Sequence, residues 1–304
     1  MTALTTWGGT ARTVDLDGPV HYVDFGGSGP RMVLVHGLGG SHLNWCLLAP
    51  LLVPHARLTA VDLAGFGLTH PHGRSTGVRA NADLLVRFLR EVTGVPAILV
   101  GNSMGGMVSI LAAERHPDDV AGLVLIDPSV PGALGDPFDR AVAANFAAYA
   151  TPLLGSRLLA RRRARLTPAE SVQEILDLCF VDPTRMPADL RAASEALVVE
   201  GKEVAGLDAA FLAAARSLLK VNALAPAYWR AMASITAPVL LIHGERDRLV
   251  PLRAARRVAT RNANWRLATI PDVGHVPQME APDRVAELIR AWLAEHPDAV
   301  RAAE

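Results

Sequence analysis

The chain has 304 residues, half of them apolar, and its 30 acidic and 30 basic side chains balance. That length supports one large α/β core, alone or with a smaller inserted unit, and the zero net charge excludes a long-range field that would gather nucleic acid or an anionic surface. Two widely separated cysteines, Cys46 and Cys179, match no metal or redox spacing and point to a reducing compartment. The N-terminal stretch lacks the basic and apolar runs of a secretory signal, and no apolar run is long enough to span a bilayer. The expectation is a soluble, cytoplasmic protein with no nucleic-acid partner and no metal or cofactor.

Two short alternating segments, Ala11–Leu16 and Val20–Phe25, meet at Asp17-Gly18-Pro19 and predict a hairpin. A glycine-rich loop follows, then the unbroken apolar run Arg31–Val35, which ends in His36-Gly37-Leu38-Gly39-Gly40. A helical stretch is expected to open at Asn44-Trp45, a strand at Leu58–Val61 and a helix over about Ala80–Val92. Pro96–Val100 is strand-like, and Met107–Ala113 suits a buried helix. Val120–Ile126 is another continuous apolar strand, ending in Asp127-Pro128-Ser129. Strands without polar alternation, separated by helices, indicate a mostly parallel sheet covered on both faces.

The rhythm breaks between about Val130 and Ser234, where alanine- and leucine-rich helical segments replace the strands. It resumes with a strand at Pro238–Gly244, a helix near Leu252–Thr260, a strand at Trp265–Ile270 and a helix at Pro282–Glu295. The predicted organisation is a core of residues 1–129 and 235–304 with a helical insertion, 130–234, over the carboxyl ends of the strands. In open parallel sheets ligands bind at that edge.

The stretch Gly101-Asn102-Ser103-Met104-Gly105-Gly106 joins a strand to a helix. So sharp a reversal strains the apex residue, and side chains two positions to either side would collide, which accounts for Gly101 and Gly105. The turn exposes the Ser103 hydroxyl beside the positive end of the following helix, a setting suited to a developing oxyanion. A serine needs a base, and the base needs an orienting carboxylate. Of ten histidines, His275 lies in a glycine-bearing loop directly after the last strand. His36 reads as a loop-shaping residue and His243 as a packed or capping one. Asp247 follows a strand at the same sheet edge; Asp127 is its rival, and both are also ordinary turn or cap positions. The chain order Ser, acid, His favours Asp247. The backbone N–H groups of Met104 and Leu38 are the expected oxyanion donors, and Gly37, Asn102, Trp45 and Val276 are expected to touch substrate.

The ordered set His36-Gly37, Gly101-x-Ser103-x-Gly105, Gly244-x-x-Asp247 and Gly274-His275 resembles the α/β-hydrolase superfamily across nearly the whole chain. The insertion falls where that family carries its cap. The resemblance implies a serine hydrolase in which Ser103 attacks a carbonyl, His275 shuttles the proton and Asp247 holds the imidazole. Dehalogenases and epoxide hydrolases of this fold use an aspartate where this chain has Ser103. The run around Ser103 is similar to carboxylesterases, monoacylglycerol-lipase-like enzymes and C–C bond hydrolases of ring-cleavage products. Those C–C hydrolases commonly carry Trp after the histidine, where this chain has Val276. Cofactor-free perhydrolases share the triad, and some proteins of this fold are non-catalytic binding modules.

Within the insertion, Phe138, Phe146, Phe180, Phe211 and Trp229 offer apolar surface, either for a pocket wall or for the insertion's own core. The basic run Arg161–Arg165 is either a solvated helix face or a weak docking patch for a membrane or an anionic substrate. The favoured substrate is a small to medium hydrophobic carboxylic ester.

Overall fold

Continuous apolar runs become the inner strands of one eight-stranded sheet in the computed structural model, which describes residues 6–131 and 140–304. The strands are β1 (Thr10–Asp15), β2 (Pro19–Gly26), β3 (Arg31–Val35), β4 (Arg57–Val61), β5 (Ala97–Asn102), β6 (Val120–Ile126), β7 (Val239–Gly244) and β8 (Trp265–Ile270). Their spatial order is β1-β2-β4-β3-β5-β6-β7-β8. β2 runs antiparallel to β1 and β4; the pairs from β4 through β8 are parallel. The β1–β2 turn carries Asp17 and Gly18 at positive φ, the backbone that Asp and Gly tolerate best.

The unbroken apolar pattern has a direct cause. Successive strand residues face opposite sides, and both sides are covered. Val33, Val35, Leu99, Leu123 and Leu241 join one buried cluster, whereas Met32, Leu34, Ile98, Val124 and Leu240 join another. The first packs against α2 (Val78–Phe88) and α3 (Met104–Arg115); the second packs against α1 (Ala49–Leu52) and, far along the chain, the helix at Pro282–Glu295. The helical stretch expected at Asn44-Trp45 is shorter than its sequence suggests. Ser41 caps a 3₁₀ turn, His42–Trp45, and only the four residues of α1 follow. Helix α2 ends earlier than expected, passing into a π-type turn, Leu89–Thr93, that Gly94 closes in the left-handed region.

Between β6 and β7 the described residues form α4 (Arg140–Ala150), α5 (Pro152–Arg165), α6 (Pro168–Cys179), α7 (Ala188–Lys202), α8 (Leu207–Ala223) and α9 (Ala225–Ala233), with no strand among them. They are tied to loops at the carboxyl ends of the strands. Thr76 Oγ1 donates to Ala210 O at 2.8 Å, and Tyr228 Oη donates to Ser129 O at 3.0 Å. After β7 come α10 (Leu252–Arg261), α11 (Pro277–Glu280), α12 (Pro282–Glu295) and α13 (Pro297–Ala302). No helix among the described residues is long and apolar enough to cross a membrane.

Candidate active site

β5 ends at Asn102 and α3 begins at Met104, so Ser103 alone carries the reversal, with φ 54° and ψ −115°. A non-glycine residue held there costs about 1–3 kcal/mol and persists only where its surroundings fix it. Here they do: Ser103 N–H donates to Ile126 O at 3.0 Å, and Ser103 O accepts from Ser129 N–H at 3.0 Å and Met107 N–H at 3.2 Å. A Cβ at Gly101 would come within 2.6 Å of Gly105 O, as the steric argument requires. At Gly105 the obstacle is different. Its Cβ would meet Val35 O at 2.0 Å and His36 O at 2.5 Å, so the second glycine lets α3 press against the end of β3.

The loop after β3 closes a turn in which Gly40 N–H donates to Gly37 O at 3.1 Å, with Gly39 at φ 76°. Such a turn does not use the N–H of Leu38, and Met104, in the first turn of α3, has no intrahelical acceptor for its own. A Cβ on Gly37 would lie 3.1 Å from Ser103 Cβ, so this loop abuts the serine. His36 shapes it, as expected: Nδ1 donates to Gly37 O at 2.8 Å and Nε2 accepts from Leu63 N–H at 3.0 Å. Burial lowers its pKa, consistent with a neutral ring serving as a brace.

His275 and Asp247 meet at the same edge, Nδ1 to Oδ2 at 2.7 Å. The other oxygen of Asp247 accepts from the N–H groups of Leu249 (2.7 Å) and Val250 (3.0 Å). Burial alone would raise this carboxyl, yet the charge and hydrogen bond of His275 bring it below the usual range. Asp127, the rival, does not take the histidine. It is fully buried beside Asp247, accepts Gly244 N–H at 3.0 Å, and is pushed well above the ordinary carboxyl range by burial and by Asp247. His243 is packed, its Nε2 donating to Val250 O at 2.9 Å.

Two of the expected substrate contacts have other employment. Asn102 is buried and spends its amide N–H groups on Ile126 O and His275 O, both at 3.1 Å, which fastens the histidine loop to the residue preceding Ser103. Trp45 is fully buried in the second apolar cluster and belongs to the core. Val276 is buried as the residue preceding α11.

Glu280, to which the sequence drew no attention, is a keystone of the histidine loop. Its side chain is fully buried and accepts from Gly274 N–H (2.7 Å), Val181 N–H (2.9 Å), Asp182 N–H (3.0 Å) and Arg185 (3.1 Å). With His275 N–H donating to Cys179 O at 2.7 Å, it locks the end of α6 onto the loop. A single glutamate five residues beyond the histidine carries no sequence signal of this.

Of the apolar residues in the insertion, Phe180 is buried in the second cluster, Phe211 packs against the first, Phe146 and Phe211 each meet Tyr149 edge-on, and Trp229 stacks under Arg261. Phe138 lies outside the described residues. In the basic run, Arg162 pairs with Glu174, and Arg163 pairs with Asp208 at 2.6 Å. Among the described residues, two side-chain groups have the proximity of metal ligands, His21/His42/Asp62 and Asp127/His243/Asp247. In the first, both histidines hydrogen-bond the carboxylate; in the second, Asp247 is engaged by His275.

The model of the Alpha/beta hydrolase family matches residues 32–288. A pimeloyl-[acyl-carrier protein] methyl ester esterase of Aromatoleum aromaticum is 33% identical over 86% of this chain and 96% of its own length. Lipase 1 of Psychrobacter immobilis is 26% identical over 87% of this chain and 77% of its own. Among solved structures, Cfl2 of Burkholderia cenocepacia superposes with a TM-score of 0.80 at 24% identity, covering 96% of this chain and 97% of that one.

Proposed function

The chain belongs to the alpha/beta hydrolase family, and from that premise we propose that it is a carboxylic ester hydrolase working through an acyl-enzyme on Ser103. His275 takes the Ser103 proton as Oγ attacks the ester carbonyl, and Asp247 stabilises the imidazolium and fixes its tautomer. The N–H groups of Met104 and Leu38 receive the oxyanion. The alcohol departs with the proton from His275; water, deprotonated by His275, then attacks the acyl-enzyme and frees the acid. Residues 130–234 act as the cap over this site, and the acyl group is small to medium and hydrophobic. Two free thiols, Cys46 and Cys179, suit a cytoplasmic setting.

The observation that carries this reading is the 2.7 Å bond between His275 and Asp247, at the sheet edge where Ser103 is held in its strained turn. Esterase and lipase names among the relatives support an ester as the substrate class. The test is a fluorophosphonate probe followed by mass spectrometry. A stoichiometric adduct on Ser103 is expected; folded protein that takes up no label would mean a binding module and sink the enzyme reading. p-Nitrophenyl esters of increasing acyl length should then turn over faster than a ring-cleavage diketone, and the reverse ranking would make the protein a C–C hydrolase.

A further inference from the structure

Behind the Asp247–His275 pair lies a buried carboxyl group that the proposed chemistry does not use. Asp127, at the end of β6, is fully buried. One oxygen accepts Gly244 N–H; the other, Oδ2, is sealed from solvent with no partner able to donate to it. The neighbouring His243 is in the same position. Its Nε2 donates to Val250 O, which leaves Nδ1 as a bare lone pair, unpartnered and 3.3 Å from Asp127 Oδ1. Across from both stands Asp247, whose charge His275 requires. Asp127, His243 and Asp247 each bring a ligating atom within 4.8 Å of the others.

Two carboxylates and an imidazole lone pair facing one another in a buried setting repel. Asp247 has donors on both oxygens, from His275, Leu249 and Val250, and is the one equipped to stay ionised. Asp127 has a single N–H for two oxygens. One proton on Asp127 removes the repulsion and converts its unpartnered oxygen into a donor.

We propose that Asp127 is a positioning residue that carries a proton at neutral pH and donates it, through Oδ2, as a hydrogen bond to the Asp247 carboxylate, clamping the acid between β6 and β7. This rests on Asp247 being the acid of the triad. The elevated pKa of Asp127, raised by burial and by Asp247, agrees with it. The groups facing Asp127 are His243 from β7, Asp247 from the loop after it and, farther off, Glu280 from α11; His275, from the loop after β8, acts on His243 and Asp247. None is a cation in contact that would favour its ionised form. When Asp127 does lose its proton, at high pH, its new charge repels Asp247 and the clamp opens, so activity should fall on the alkaline side.

The test compares Asp127→Asn and Asp127→Ala. Asp127 sits at φ 45°, a conformation asparagine tolerates better than most residues, and an amide both accepts Gly244 N–H and donates to Asp247. The wild-type infrared spectrum should contain a protonated-carboxyl carbonyl band that shifts in D₂O and is missing from Asp127→Asn. Asp127→Ala should lower kcat about ten- to a hundredfold with little change in KM, from misplacement of the acid. Asp127→Asn should restore most of that loss and flatten the alkaline limb of kcat/KM. Absence of the band, or an Asp127→Asn variant as impaired as Asp127→Ala, overturns the protonated clamp. If Asp127→Asn is crippled while Asp247→Asn remains active, the acid has been misassigned and the proposed function itself must be revised.

Discussion

Among the described residues, two buried carboxylates are each flanked by two histidines, and the two clusters are built differently. At the end of β4, Asp62 accepts from His21 Nδ1 at 2.8 Å, from His42 Nδ1 at 3.0 Å, and from the N–H groups of His42 and Leu68. After β7, Asp247 accepts from His275 Nδ1 and two N–H groups, with His243 behind it. The residue types are alike; the neighbours differ. Asp62 faces donors alone, and although burial opposes ionisation, His42 and His21 hold its carboxyl far below the usual range. Asp247 faces donors and a second carboxyl, Asp127, and its histidine belongs to a loop fastened to the residue before a strained serine. That saturated cluster ties β2 to the loops after β3 and β4. The Asp247 cluster is instead tied, through His275, to Asn102, the residue preceding Ser103, and it is the one to which turnover is assigned in the proposed function.

The largest effects should separate the two. Ser103→Ala and Asp247→Asn should each lower kcat/KM for a p-nitrophenyl ester by about 10⁴-fold or more, by analogy with triad knock-outs, while leaving urea denaturation midpoints nearly unchanged for Ser103→Ala. Asp62→Asn should do the opposite. Breaking a buried, fully hydrogen-bonded charge costs about 3–5 kcal/mol, to be read from urea unfolding, and the surviving folded enzyme should retain its kcat. If Asp62→Asn abolished turnover in folded protein, the division between brace and catalyst would collapse.

Next in size is Glu280→Gln. It keeps the shape but removes the charge that gathers Gly274, Val181, Asp182 and Arg185, and loosening the histidine loop should cost about tenfold or more in kcat. Steady-state kinetics on the folded variant, with its loss of stability read separately from thermal melts, would sharpen the link between α6 and catalysis.

The pH dependence of stability should also have opposite signs in the two clusters. The folded carboxyl of Asp62 lies below its unfolded value, so its contribution is present above about pH 4 and lost as pH falls through the folded value. That of Asp127 is raised, so its contribution is complete below about pH 4 and is lost as pH rises through the folded value. Thermal melts across pH should show Asp62→Asn flattening the acid side and Asp127→Asn flattening the other. The smallest effect is expected from Arg161→Ala. This exposed side chain touches neither cluster, and the change should move stability by less than about 0.5 kcal/mol and leave turnover of neutral esters unaltered.

The strands, the elbow and the pairing of His275 with Asp247 rather than Asp127 were legible because each has a local or ordinal signature. Unbroken apolar runs mark strands covered on both faces, glycines mark Ser103, and the order Ser, acid, His follows the chain. The roles of Asn102, Trp45 and Glu280 were not legible. Asn102 gives its amide to His275, 173 residues away, and Glu280 fastens the end of α6; no spacing announces such bonds. Trp45 is an expected substrate contact, but a short 3₁₀ turn directs it into the core.

The sequence by itself determined the sheet, the strained serine and the histidine and carboxylate proposed to activate it, because periodicity and turn chemistry are written in neighbouring residues. Tertiary structure decided that Asp62 is a hydrogen-bonded brace and that Asp127 lies buried beside Asp247. That depends on how many donors and charges converge on each oxygen, and those groups come from separate strands and loops, 117 residues apart in the case of Asp127 and Gly244.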